Sequence, residues 1–254
     1  MPSPRDSERT EGVDDDVLQQ RFQRCATQTA GTELDLSNLQ LTGFPVEILT
    51  LFPSLRRLNL RQNALESIPD EFPRHLTHLV SLNLSYNALT RLPDHIGKLR
   101  ALQKLSLSHN QLSALPSSFI GLHALEELDL SFNSLQTLDG DLGSQLLKLK
   151  TLNLAHNQLL EIPRAFVELM MLRVVDLSGN DRLLNVPDKI RRLHERNVIL
   201  HSRAKRRELI SRALRVRYAV QQIVEKPSPM VVSPTKAASR KKTQQAQRIS
   251  VIET

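Results

Sequence analysis

Leucines recur two positions apart in short runs along this chain, as in Leu105 and Leu107 or Leu128 and Leu130, with Ser106 and Asp129 between them. Period-two alternation sends both leucines to one face of a short strand and the polar residue to the other. Four of the runs lead into an asparagine and, six residues on, a proline preceded by Leu or Ile, as in "LRQNALESIP", "LSYNALTRLP" and "LSHNQLSALP". Asn63, Asn87, Asn110, Asn133, Asn157 and Asn180 fall in one column, at spacings of 24, 23, 23, 24 and 23. An earlier unit, "LDLSNLQLTGFP", fits the same register with Leu39 in the asparagine column. Val198 and Leu200 stand 23 residues after Val175 and Leu177 and predict an eighth strand.

One such unit cannot bury its own leucines, but a stack of them can. The predicted architecture is therefore α/β, a solenoid whose strands form a parallel sheet. The asparagine belongs in the turn after the strand, where its amide both donates to and accepts from backbone groups that no ladder satisfies. The first turn, with Leu39, should be less regular. The extra residue in "LSGNDRLLNVP" predicts a local bulge in the last full repeat.

The consensus L-x-x-L-x-L-x-x-N-x-L-x-x-L/I-P resembles the leucine-rich repeat family, over about Thr32 to Leu200. The trailing "IPDEF", "LPDHI", "LPSSF" and "IPRAF" are similar to its short intracellular class, as in Ras-binding scaffolds and plant intracellular Ras-group proteins. The resemblance implies a curved parallel sheet on a concave face that binds a protein partner. A small GTPase or a phosphatase is the partner class it suggests, by analogy of fold.

A solenoid exposes its core at both ends and needs caps. At the front, "DDDVLQQRFQRC" places acids ahead of Val17, Leu18, Phe22 and Cys25, an apolar helical stripe with a favourable negative start. At the back, Leu209, Ala213, Val216, Val220 and Ile223 follow at helical spacing, with arginines on the other face. This helix reads as a cap, or as a binding element for a partner or an acidic surface. The expected organisation is a disordered N-terminus over 1–12, an N-terminal cap helix over 13–31, the solenoid over 32–202, a basic amphipathic helix over 203–225 and a disordered basic tail over 226–254.

Charge separates the two ends. Of 34 basic and 27 acidic side chains, 13 and 3 lie within His201–Thr254, so that segment carries +10 and the remainder −3. This opens an alternative function, a nuclear or nucleic-acid-associated regulator acting through the basic helix and tail, and a third, an enzyme regulator acting through the helix. The tail holds Tyr218 as its one aromatic and no RNA-binding signature. Ser228 and Ser233 each precede a proline, and "SPTK" resembles a proline-directed kinase site. Lys205–Arg207 and Arg240–Lys242 are candidate import signals. "RVRY", Arg215 to Tyr218, resembles a docking motif for protein phosphatase 1 but has tyrosine at the aromatic position and lies in a predicted helix. A single cysteine, no secretory signal and no apolar run of transmembrane length predict a cytoplasmic monomer, with nuclear entry through the tail.

No catalytic constellation, metal cluster or cofactor motif emerges. The column ahead of the asparagines reads Asn38, Gln62, Tyr86, His109, Phe132, His156, Gly179, and the two histidines lie two repeats apart, too far to share a zinc ion. Serines recur at repeat positions, which marks them as structural rather than as one activated nucleophile. What remains is a surface. The outward strand residues Arg57, Asn59, Arg61, Asn83, Lys104, Glu127, Asp129 and Asn153, with the rings of Tyr86, His109, Phe132 and His156, are the expected protein-binding set. Asn or Asp between two leucines also suits the strand itself, and that reading stands beside the binding one. The charges run from basic to acidic along the stack.

Overall fold

The computed structural model describes residues 15–198, which fall in one compact unit. Seven three-residue strands, β1 (Glu33–Asp35), β2 (Arg57–Asn59), β3 (Ser81–Asn83), β4 (Lys104–Ser106), β5 (Glu127–Asp129), β6 (Thr151–Asn153) and β7 (Val174–Asp176), pair in parallel in chain order. The register sets Leu34, Leu58, Leu82, Leu105, Leu128, Leu152 and Val175 in one row, and every member is buried. The residues on either side of that row lie half-buried or exposed on the opposite face. Each fully buried leucine contributes about 1.5 to 3 kcal/mol, and neighbouring repeats complete that burial.

The return segments begin at the prolines. Proline fixes φ near the helical value, and the carbonyls of Pro45, Pro69, Pro93, Pro116 and Pro163 accept the N–H three residues on, at 2.9 to 3.2 Å. These turns carry Ile48, Phe72, Ile96, Phe119 and Phe166 into the core. The fifth unit has Asp139 where the others have proline. There the Asp139 carbonyl accepts from Leu142 at 3.3 Å, and its carboxylate caps the Asp141 N–H at 2.9 Å. Adjacent turns meet backbone to backbone at Gly97, where a Cβ would sit 1.9 Å from the Ser118 carbonyl oxygen.

The asparagine column stitches the repeats together. Asn133 Nδ2 donates to the carbonyls of Leu107 at 2.9 Å and Leu130 at 3.0 Å, while its Oδ1 accepts the Leu112 N–H at 3.0 Å. Asn63, Asn87, Asn110, Asn157 and Asn180 repeat the arrangement. In the first unit the turn is irregular: Asn38 and Gln40 both adopt positive φ, and Asn63 Oδ1 takes the N–H groups of both Leu39 and Leu41. The extra residue of the last unit is absorbed in a turn over Asp181 and Arg182, closed by Leu183 N–H on the Asn180 carbonyl at 3.0 Å.

At the front, α1 (Asp15–Gln28) buries Leu18, Phe22 and Cys25, and Phe22 meets Phe52 edge-on at 5.6 Å. The helix stops where Ala30 and Gly31 turn left-handed and Gly31 N–H returns to the Cys25 carbonyl at 3.0 Å. Burial pushes the Cys25 thiol up, opposed by the Thr29 hydroxyl at 3.8 Å from its sulfur. The expected eighth strand is corrected at the other end. Val198 belongs to a helical segment, 188–198, that buries Ile190. In the inner repeats the N–H after the strand donates to the next strand, as Leu154 does to Asp176 at 2.8 Å. Leu177 N–H instead donates to His194 Nδ1 at 3.1 Å, so a side chain on the helix stands in for the missing neighbour. Leu200, the 203–225 helix with its "RVRY" motif, the basic clusters, the 226–254 tail with Ser228 and Ser233, and the 1–12 segment lie outside the described residues.

Candidate protein-binding surface

The chain must reverse direction after each strand, and it does so at the residue before the asparagine. Asn38, Gln62, Tyr86, His109, Phe132 and His156 all take φ between 54° and 58°, and Gly179 takes 70°. Non-glycine residues rarely occupy this left-handed region, at a cost of roughly 1 to 2 kcal/mol each. The turn is held by N–H donation to the following repeat, from Tyr86 to Ser108, from His109 to Ser131 and from Phe132 to Ala155, at 2.8 to 2.9 Å.

Because successive strands lie about 4.8 Å apart, the side chains thrown out by this turn stack. Tyr86 on His109, His109 on Phe132 and Phe132 on His156 have ring centroids 4.1, 4.1 and 4.2 Å apart and planes within 19° of parallel. The Arg61 guanidinium closes one end, 4.8 Å from the Tyr86 centroid. At the other end a Cβ on Gly179 would lie 2.4 Å from His156 Nδ1, so the last ring covers the glycine. Ring pairs of this kind contribute about 0.5 to 1.5 kcal/mol each. Tyr86 and Phe132 remain 41% and 43% exposed, so the ladder is a surface feature and no part of the leucine core.

Phe132 separates His109 from His156, so the two imidazoles do not converge. Among the described residues no three His, Cys, Asp or Glu side chains are grouped to hold a metal ion.

On the strand face, the Asp and Asn between the leucines are engaged by the fold. Oδ1 of Asn59, Asn83, Asp129 and Asn153 accepts the N–H two residues on at 3.0 to 3.1 Å, and Asp35 and Asp176 do the same. The serine hydroxyls of Ser37, Ser85, Ser131 and Ser178 donate to the same oxygens at 2.7 Å. The charges also pair laterally: Arg57 with Glu33 at 3.2 Å and Lys104 with Glu127 at 2.6 Å. The run from basic to acidic is thus broken into neighbouring ion pairs and makes no simple gradient. A further pair, Lys150 with Glu126 at 2.6 Å, holds the Glu126 carboxyl below the usual carboxylate range, chiefly through that hydrogen bond.

The structure therefore brings Arg61, Tyr86, His109, Phe132 and His156 into one feature. Arg57, Lys104 and Glu127 stand on the strand row beside it as members of ion pairs. The left-handed backbone was not anticipated, although Asn38 and Gly179, residue types that tolerate it, occupy the same column.

A leucine-rich repeat family model matches residues 32–87, 53–112, 77–135, 100–159 and 123–181, together more than half of the chain. Among solved structures, a leucine-rich repeat protein of Leptospira interrogans is 38% identical, with a TM-score of 0.59 over 64% of this chain and 40% of that one. The leucine-rich repeat domain of the type III effector XopL is 26% identical, with a TM-score of 0.60 over 67% of this chain and 60% of its own. TLR13, in a complex with a single-stranded RNA, is 31% identical, with a TM-score of 0.54 over 61% and 22%. The chain thus spans less than two thirds of the length of each. No curated protein matches it. Leucine-rich repeat domains generally mediate protein–protein interaction and are typically not catalysts, and no described helix is long and apolar enough to cross a membrane. With the asparagine column in register through the stack, the chain belongs to the leucine-rich repeat family.

Proposed function

We propose that this chain is a non-catalytic adaptor that binds a protein partner along the ring ladder and the adjoining strand face. The ladder carries the reading. The fold accepts Asn38, Gln62 and Gly179 in the same column, so it does not require rings at Tyr86, His109, Phe132 and His156, and there the left-handed backbone is strained without a packing role in the core. Exposed rings beside an arginine are common interface anchors. Truncating a central anchor commonly costs about 2 kcal/mol or more of binding, near thirtyfold in affinity.

Resemblance to Ras-binding scaffolds makes a small GTPase or a phosphatase the first partner to test, in a cytoplasmic, monomeric setting. Proximity labelling in cells with wild-type and Phe132→Ala chains at equal abundance should show partner labelling lost in the variant. Labelling that is unchanged would move the interface elsewhere. The basic segment of residues 201–254, with its +10 charge, supports a second reading as a nuclear or nucleic-acid-associated regulator. A chain ending at Ser202 separates the two, because it keeps the ladder and drops the tail.

A further inference from the structure

At the front of the sheet, α1 and strands β1 to β3 together line a pocket of about 500 Å³. Its own acceptors are largely engaged. The Glu33 carboxylate holds Arg57 at 3.2 Å, and Asp35 Oδ1 accepts from the Ser37 N–H, the Ser37 hydroxyl and Asn59 Nδ2 at 2.7 to 3.0 Å. Its donors are not. Among the described residues Arg21 and Arg24, at i and i+3 on one side of α1, enter no ion pair, and neither Asn83 Nδ2 nor the Ser81 hydroxyl has a hydrogen-bond partner. A pocket with spare cations and spare N–H and O–H groups is complementary to an anionic acceptor, and arginine's planar fork suits a carboxylate.

Position narrows the ligand. β3 supplies Ser81 and Asn83 to the pocket and, three residues beyond Asn83, the first ring of the ladder at Tyr86. A partner lying on the ladder therefore reaches the pocket with its neighbouring residues. The carboxylates of Glu33 and Asp35 line the same wall and would repel a doubly charged phosphate more than a singly charged carboxylate. We infer that this pocket takes an Asp or Glu side chain of the protein that lies along the ladder. The inference rests on the protein-binding reading above and names the acidic residue as its second anchor.

The test is a titration of the isotope-labelled full chain with acetyl-triglutamate amide, with acetyl-triglutamine amide and inorganic phosphate as separate arms, followed by NMR. The side-chain signals of Asn83, Arg21 and Arg24 should shift saturably with triglutamate and stay still with triglutamine. An R21Q/R24Q chain should need about tenfold more peptide, with unchanged melting and unchanged ring signals. Shifts confined to the basic segment after residue 202, an unaltered midpoint in R21Q/R24Q, or tighter binding of phosphate at the same signals would each overturn the assignment. Failure here with capture still dependent on Phe132 removes the pocket and leaves the ladder. Saturable shifts here with capture indifferent to Phe132 remove the ladder and leave an acid-binding pocket.

Discussion

Phe132 and Asn133 are chain neighbours with opposite employment. The amide of Asn133 is buried and bonded to four backbone groups from two repeats, and every full unit from the second to the seventh keeps an asparagine there. Phe132 is exposed, strained in φ and replaced in its column by Tyr, His, Gln, Asn or Gly. One column solves a problem common to all repeats, the other varies because the fold leaves it free. Adjacent positions in a solenoid can thus be separated into one that the fold requires and one that it leaves free, as long as the backbone sends one inward and the other out.

Breaking the inward column should have the largest effect. Asn133→Ala leaves the buried Leu112 N–H without its acceptor and takes one of two amide donors from each of the Leu107 and Leu130 carbonyls, which keep Asn110 and Asn157, at a cost of about 2 to 4 kcal/mol. Chemical denaturation should show it, in the range expected for the core truncation Leu130→Ala, about 2 to 5 kcal/mol. A loss below about 1 kcal/mol would mean that water replaces the amide and that the column is not what joins the repeats.

The outward column should respond more weakly, and in an unusual order. Phe132→Ala removes two ring contacts, about 1 to 3 kcal/mol together, and keeps a side chain at φ 54°. Phe132→Gly loses the same contacts but relieves about 1 kcal/mol of backbone strain. Urea titration should therefore rank glycine above alanine. The reverse order would show that the left-handed turn carries no strain.

Glu126 sharpens the comparison at the small end, because its ion pair with Lys150 lies at the start of β5 and β6, away from both columns. Its carboxyl is held down by Lys150, so the pair's contribution is complete above the unfolded-state value, about 4.3, and fades as pH falls through the lower folded-state midpoint. NMR titration should find that midpoint below the value of a free glutamate, and Lys150→Met should raise it. An unmoved midpoint in the variant would assign the depression to another charge.

The inward column was legible because its chemistry is generic: leucines at period two and an amide in each turn mean the same in any order of repeats. The turns at the prolines could be read in part, but the close approach at Gly97 depends on where the next repeat's backbone runs, which no local pattern encodes. Val198 kept the repeat spacing and still went into helix, where His194 of the same helix satisfies Leu177, and among the described residues no strand follows β7. The rings were expected to be exposed, and Tyr86 and Phe132 are. Their stacking was not, since it follows from a positive φ that only Asn38 and Gly179 hinted at. The apolar stripe of α1 was legible but Arg21 and Arg24 were not singled out, because only their placement in one pocket with Ser81 and Asn83 of β3 gives them a use.

The division of labour between the two columns is tested most directly by one chain, Phe132→Gly, in two readouts. Its thermal midpoint should stay within about 4 °C of the wild type, the shift expected for roughly 1 kcal/mol in a domain of this size, while capture of the partner in cells falls at least about tenfold. A stable chain that still captures its partner at wild-type level would contradict the account.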